Sequence, residues 1–419
     1  MGMLVSLSEF GIIRPSHSVV AATFSEAHIS HSSFSHLKQL AFAPGADAML
    51  TYSVRQKNEQ IQVKNYVGTI ELKDGTQIEI LPKTNFDSRQ LLLNMLRTLR
   101  NTPFKSIGRA HVGSAPQSVK EIFIGAFLTE IENIVGQQLG KNYQTQLQNE
   151  PYLKGKWLIN KQLKSVSLSK DRFWAETDVF SVDTAANRLL KSCLVFVDQR
   201  STLGSNKKRI TRLRHLLDNV PESDNLPRDF KETQRLSRGF ERYRVALSWA
   251  DIFLKNKSFS PFAGIDHNFA LLFPMQQLFE DYVTHSLIKN LSNCQVTRQD
   301  RRHFLVENHL DQRLFGLRPD VVIETAIQTV VVDIKWKTLK ARNQAGHYGI
   351  EQTDLYQLFA YGKKYAADAL YLLYPANPDF VERLPPFSYE NQAMFLHVVP
   401  YDLAASGAEN VRKIFPDLC

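Results

Sequence analysis

Residues 317–337 read LRPDVVIETAIQTVVVDIKWK. Two runs rich in Val and Ile flank a short polar break and dictate a β-hairpin, because β-branched side chains fit a pleated, half-buried surface. Three charges, Asp320, Asp333 and Lys335, stand where such strands would place more valine. Positions 320 and 333 are equidistant from the point between Ala326 and Ile327. A turn centred there makes the two aspartates direct cross-strand neighbours, with Cβ atoms about 4.5–5.5 Å apart. Alternation then puts Asp320, Asp333 and Lys335 on one face of the hairpin. Val321, Ile323, Val332, Ile334 and Trp336 point the other way, into a core. No Asn-Gly or Asp-Gly pins the turn, and a slip of one residue would reverse one strand's faces.

Two carboxylates at that separation repel unless a cation lies between them. Lys335 or another base can be the counterion, which makes the cluster a structural ion network on a half-exposed sheet. A divalent metal meets the same need and adds chemistry. Mg²⁺ takes a few carboxylate oxygens, keeps several waters and shares its remaining positions with substrate phosphate. A metal-bound water beside Lys335 is then a nucleophile for in-line attack on a phosphodiester, with no covalent enzyme intermediate.

The remainder of the chain frames this hairpin. At 419 residues with 43% apolar content the chain is too long for one core. Its 51 Lys and Arg against 42 Asp and Glu leave a formal charge of +9, which favours a polyanionic partner such as nucleic acid or anionic lipid. Cys193, Cys294 and Cys419 lie far apart with no CxxC pair, so neither a disulfide framework nor a thiolate zinc site is indicated. The N-terminus lacks the features of a signal peptide, and no apolar run is long enough to span a bilayer. A soluble, cytoplasmic chain without a membrane partner is expected. Met1, Gly2 and Ser6 fit a loose acylation pattern too short to carry weight.

Residues 61–81 alternate apolar and polar side chains around Asp74-Gly75, a hairpin signature. A helix follows, with Asp87 and Gln90 spaced as a capping box. The segment EIFIGAFLTEIENIVGQQL predicts another helix that closes an α+β domain over 1–150. Residues 151–262 read as a basic, mostly helical middle region. There Lys207, Lys208, Arg209, Arg212 and Arg214 form either a phosphate-binding surface or a solvated helix face. From 263 to 419 the pattern first gives a helix over FALLFPMQQLFEDYVTHSLIKNL, starting at Phe269 and bearing Met275, Leu278, Phe279, Tyr282 and Val283, with Glu280 at the edge of the stripe. A strand near 294–298, the hairpin, a helix over 350–366 and the strand ALYLLYP come next. The order α-β-β-β-α-β predicts a mixed sheet flanked by helices. Gln357 and Tyr361, four apart on the second helix, either reach towards the site or a nucleic acid or are partly buried helix residues. His28, His31 and His36 read as polar surface. No GxSxG or HExxH motif occurs, and no GxxxxGK[ST] loop, since Gly136 to Lys141 has the wrong spacing. The chain is therefore not expected to bind a nucleotide itself.

RPD, twelve residues and then DIK resemble the signature of PD-(D/E)xK nucleases, and Gln357 with Tyr361 resembles the QxxxY helix of their RecB-like branch. More specifically, VGTIELKDGTQIEILPK, DTAANRLLKSCL, MQQLFEDYV, LRPDVVIE, VVDIKWK and DLYQLFAYG are similar, in that order, to the McrC family. These are the nuclease subunits of McrBC-type modification-dependent (type IV) restriction systems. The resemblance runs from about residue 66 to 375. It implies a restriction-endonuclease-like C-terminal domain with Asp320 and Asp333 as metal ligands and Lys335 as the catalytic lysine. Glu280 is a helix-borne acidic contributor, and Gln357 and Tyr361 are supporting residues. It further implies a Mg²⁺-dependent DNA endonuclease, with Mn²⁺ as a substitute, acting on double-stranded DNA that carries modified cytosine. The implied partner is a hexameric AAA+ GTPase of the McrB type, stimulated through the chain's N-terminal region. Trp336 stands where tyrosine is more usual, and the middle region is longer than the family pattern. A non-cleaving assembly subunit and a stand-alone nuclease are the competing readings.

Overall fold

The computed structural model describes the chain except residues 1–2, 17–22, 85–86, 109–116, 165–171, 235–237, 255–268, 390–393 and 419. Met1 and Gly2 of the acylation pattern, and Cys419, fall outside the described residues. The chain divides into two units, Met1–Lys105 with Ser258–Cys419, and Ser106–Lys257. These boundaries differ from those drawn at 150 and 262 from the sequence.

Asp74-Gly75 turns the chain as expected: Tyr66–Glu71 and Gln77–Leu81 pair antiparallel, with Gly75 at φ 81°. Leu4–Ser8 adds to one side of this pair and Phe269–Pro274 to the other. The strand Phe269–Pro274 was read from sequence as the start of a helix. A short apolar run is ambiguous by periodicity, and Pro274 resolves it by standing as the N-cap of a helix that begins only at Met275. Because that strand lies beside Tyr66–Glu71, the first hundred residues and the C-terminal region fold as one unit. A second four-stranded sheet, in the order Glu26–Ile29, Ile12–Pro15, Asn58–Val63, Leu50–Arg55, buries its face with the helix His31–Ala41. In the helix Ser88–Thr98 the carboxylate of Asp87 accepts from the Gln90 N–H at 3.0 Å, whereas the Gln90 amide turns to Asn94. Half of the capping box is formed.

The hairpin belongs to a six-stranded mixed sheet ordered Gln295–Arg298, Val321–Glu324, Thr329–Ile334, Ala369–Pro375, Phe395–Tyr401, Phe387–Ser388. Its register is the one derived from the turn centre, with Val321 opposite Val332 and Glu324 opposite Thr329. The strands Thr329–Ile334, Ala369–Pro375 and Phe395–Tyr401 run parallel, and the rest pair antiparallel. The expected division into one apolar and one charged face needs correction, because both faces are covered. Val322 and Val331, which share the aspartate face, are fully buried with Leu358 and Tyr361 of the helix Gln352–Lys364. Val321, Ile323, Val332 and Ile334 are fully buried on the other side. Parallel strands need cover on both faces, and each buried Val or Ile contributes about 1.5–3 kcal/mol. An exposed hairpin, Phe304–Glu307 with Arg313–Gly316, is inserted between the first two strands of the antiparallel part and was not foreseen. It has no buried face to leave a pattern in the sequence.

In the second unit the helices Val119–Gly136, Ala185–Arg200, Gly204–Leu216, Leu226–Thr233 and Arg244–Leu254 enclose Phe123, Phe127, Trp249 and Phe253. Val119–Gly136, assigned from sequence to the first domain, belongs here because all of its first ten residues are buried and need helices around them. The middle region is not chiefly helical throughout: Asn142–Glu150, Phe173–Ser181 and Lys156–Trp157 form a three-stranded sheet.

Candidate active site

The strand that carries Asp333 and Lys335 outruns its hairpin partner. Backbone pairing with the neighbouring strand ends at Val321 and Val332, one position short of the two aspartates. Beyond that point side chains replace the missing ladder. Asp320 Oδ2 accepts the Ile334 N–H at 2.8 Å. Gln276, in the first turn of the helix Met275–Asn290, donates its Nε2 to the Ile334 carbonyl at 2.6 Å and accepts the Trp336 N–H on Oε1 at 2.7 Å. On the other edge the Lys335 N–H donates to the Leu373 carbonyl at 2.9 Å.

The register therefore brings Asp320 and Asp333 together, as expected. Asp333 is 1% exposed. Burial, then the charges of Asp333 and Glu280, push the Asp320 carboxyl well above the usual carboxylate range. Asp333 is raised too, by burial first and by Asp354 and Glu280, with Lys335 opposing. Lys335 Nζ lies 2.9 Å from Asp333 Oδ2, 3.3 Å from Gln357 Oε1 and 3.8 Å from Asp354 Oδ1. Burial alone would lower the ammonium, but Asp333, Asp320 and Asp354 outweigh it and hold it above its ordinary value. Lys335 is thus charged and acts on the site as a fixed cation.

Glu280 lies close enough to raise both aspartates and is itself raised, by burial first. Its Oε1 accepts from Gln299 Nε2 at 2.7 Å, and Gln299 in turn accepts from Arg318. Gln357 and Tyr361 reach the site as a linked pair: Gln357 Nε2 donates to the Tyr361 hydroxyl at 2.7 Å while its Oε1 faces Lys335. Sequence reasoning missed Gln276, Asp354 and Lys337. Lys337 Nζ holds Asp354 Oδ2 at 2.8 Å and Glu351 Oε2 at 2.9 Å. Trp336 keeps its apolar role against Phe279, with ring centroids 5.1 Å apart, yet its indole N–H also donates to Glu9 Oε1 at 2.8 Å. A Gln on a helix or an acid hundreds of positions away leaves no local signal.

The basic helix is largely committed within its own unit. Lys207 and Arg214 both pair with Asp198, and Arg209 grips Glu132 through Nε and Nη2 at 3.0 and 2.7 Å. Lys208 and Arg212 are exposed. Lys207 and Arg214 keep side chains 42% exposed beside Asp198, so four of the five cations still reach solvent.

Two buried carboxylates brought together at the end of a strand, with Asp333 Oδ2 facing the Lys335 ammonium at 2.9 Å, supply hard oxygen donors of the kind a small divalent cation takes. Among the described residues no cluster of three or more His, Cys, Asp or Glu is gathered at metal-ligand distance, the histidines at 28, 31 and 36 included. Asp320 and Asp333 are the residues that would hold such an ion, with water or phosphate oxygens completing its shell. Among the described residues no helix is long and apolar enough to cross a membrane.

Comparison with known proteins agrees with this architecture. A chain of a half-complex from the tetradecameric assembly of Thermococcus gammatolerans McrB AAA+ hexamers with bound McrC matches with a TM-score of 0.72 at 16% identity, over 100% of both chains. The cryo-EM structure of the Thermococcus gammatolerans McrBC complex matches with a TM-score of 0.51 at 18% identity, over 69% of this chain and 88% of that one. At these identities the likeness is one of fold. Among curated proteins no match is found. The family model described as McrBC 5-methylcytosine restriction system component matches residues 61–375, well over half of the sequence. The chain belongs to that family.

Proposed function

We propose that the chain is the McrC-like nuclease subunit of a GTP-driven, modification-dependent restriction complex, cutting DNA phosphodiesters with Mg²⁺. The observation that carries this reading is the buried pair Asp320 and Asp333 beside the charged Lys335, at the end of a strand rigidly held on both edges. Burying two like charges is costly, and in that geometry a divalent ion offsets the cost. The six-stranded mixed sheet, with a helix supplying Glu280 and another supplying Gln357 and Tyr361, is compatible with a PD-(D/E)xK core.

Bound Mg²⁺ would polarise the phosphate and acidify a water. Asp320 and Asp333 would hold it, and Mn²⁺ would substitute. Lys335 contributes a fixed positive charge where negative charge builds on the phosphate, and Gln357 keeps its ammonium from straying. In the half-complex above, McrC is bound to McrB AAA+ hexamers. By likeness to it, the partner of this chain is a McrB-type GTPase hexamer that it stimulates through residues of its N-terminal region. Double-stranded DNA with modified cytosine is the substrate and the cytoplasm the setting.

The test is to combine the chain with a McrB-type GTPase and assay methylated and unmodified DNA with GTP and Mg²⁺. Cutting that requires all of methylation, GTP and Mg²⁺ supports the reading. Efficient cutting by the chain alone would replace it with a stand-alone nuclease.

A further inference from the structure

The ladder at the end of the Asp333 strand assigns work to a residue outside the sequence motif. We propose that Gln276 is a positioning residue for Lys335, clamping the peptide groups on either side of it so that the ammonium stands over the aspartate pair. The inference rests on the nuclease reading for its functional consequence, but the clamp itself does not.

Three observations support it. The Gln276 amide makes both bonds of a backbone-like pair, donating to the Ile334 carbonyl at 2.6 Å and accepting from Trp336 N–H at 2.7 Å. Ile334 and Trp336 are the immediate neighbours of Lys335, so fixing both fixes the direction of the side chain between them. The hairpin strand supplies no backbone partner at these positions, since its last pair is Val321 with Val332. Without Gln276, the Ile334 carbonyl and the Trp336 N–H lose these partners at the point where the strand leaves the sheet, and a partly buried peptide group without a partner is costly.

A second consequence follows from helix geometry. Residues four apart lie on one helix face, so the helix that is fixed to the strand by Gln276 presents Glu280 one turn further on, beside Asp320 and Asp333. One amide thereby sets both the lysine and the acidic residue of its own helix. The helix start is itself tied down, because the Met275 N–H donates to the Asn65 carbonyl at 3.1 Å. Small displacements of a positioned group can cost on the order of 100-fold in rate, which makes this clamp a sensitive point.

The experiment compares Gln276→Met, which keeps the shape and removes both bonds, with Gln276→Glu, which keeps only the acceptor. Gln277→Met, on the exposed neighbour, is the control. Amide hydrogen exchange at Trp336 is read in the full chain by fragmentation mass spectrometry and needs no cleavage. DNA cutting is then measured with the GTPase partner as kcat and KM. We expect exchange at Trp336 to rise at least ten-fold in Gln276→Met while the Lys335 amide, bound to Leu373, stays slow. The kcat should fall at least ten-fold with KM for DNA and the Mg²⁺ requirement unchanged, Gln276→Glu falling between and Gln277→Met matching the unmodified chain. Unchanged exchange at Trp336 would overturn the clamp. Faster exchange with an unchanged kcat would overturn the positioning role.

Discussion

Asp320 holds the backbone N–H of Ile334 at 2.8 Å while facing the buried charge of Asp333. The same carboxylate therefore caps a strand and repels its neighbour. Those two roles separate on substitution. Asn at 320 retains an acceptor for Ile334 and loses the charge. Asp320→Asn should raise stability by about 1 kcal/mol in EDTA at pH 8, the usual trade where a site is kept strained for function. Urea denaturation measures this, and a loss of stability would show that the cap outweighs the repulsion. The sign follows from the raised carboxyl: its contribution is present at low pH and lost as pH rises, so the gain should shrink as pH falls towards the ordinary carboxylate range.

Glu9 offers a second pH effect at a distance from the aspartates. Burial pushes its carboxyl from 4.5 up to about 7, although Lys83 N–H and Trp336 Nε1 both donate to it. The folded chain keeps this proton where the unfolded chain has released it, so stability is lost as pH rises from near 4.5 through about 7. The effect amounts to roughly 3 kcal/mol. Glu9→Gln should remove that slope and be the more stable form at pH 8, with little difference at pH 4. Parallel slopes for both proteins in urea melts at pH 4, 6 and 8 would exclude the role.

Gly68 and Gly75 predict opposite tolerance. A Cβ at Gly68, where φ is +137°, would lie 2.0 Å from the Leu271 carbonyl oxygen of the paired strand. Gly68→Ala should cost about 3 kcal/mol or more, by strain and by opening the sheet. Gly75, at φ 81° in a hairpin turn, should accept Asn at a cost below about 1 kcal/mol. Thermal melts of the two variants decide it.

How far the fold could be read from the residues depended on how local each determinant is. The hairpin register followed from arithmetic on positions 320 and 333, because both strands and their turn lie in one short stretch. The Asp74-Gly75 turn was legible for the same reason. What covers the aspartate face was not, since Leu358, Leu370 and Leu372 come from later elements. The strand Phe269–Pro274 was misread because its reason for being extended is Tyr66–Glu71, two hundred positions earlier. At the site, residues with a family pattern were legible, whereas Gln276, Asp354 and Glu9 act through contacts that only folding creates. On the basic helix the five cations were legible but their partners were not, since Asp198 and Glu132, which pair with three of them, lie on other elements.

In the proposed function Asp320, Asp333 and Lys335 do the cutting while other parts of the chain engage the partner. The most direct measurement takes Asp320→Ala, Asp333→Ala and Lys335→Ala, each assembled with the GTPase, and follows cleavage of methylated DNA and GTP hydrolysis in the same samples. Each variant should lose cleavage by at least about 1,000-fold and still stimulate GTP hydrolysis as the unmodified chain does. Cleavage retained in all three would contradict the proposed function.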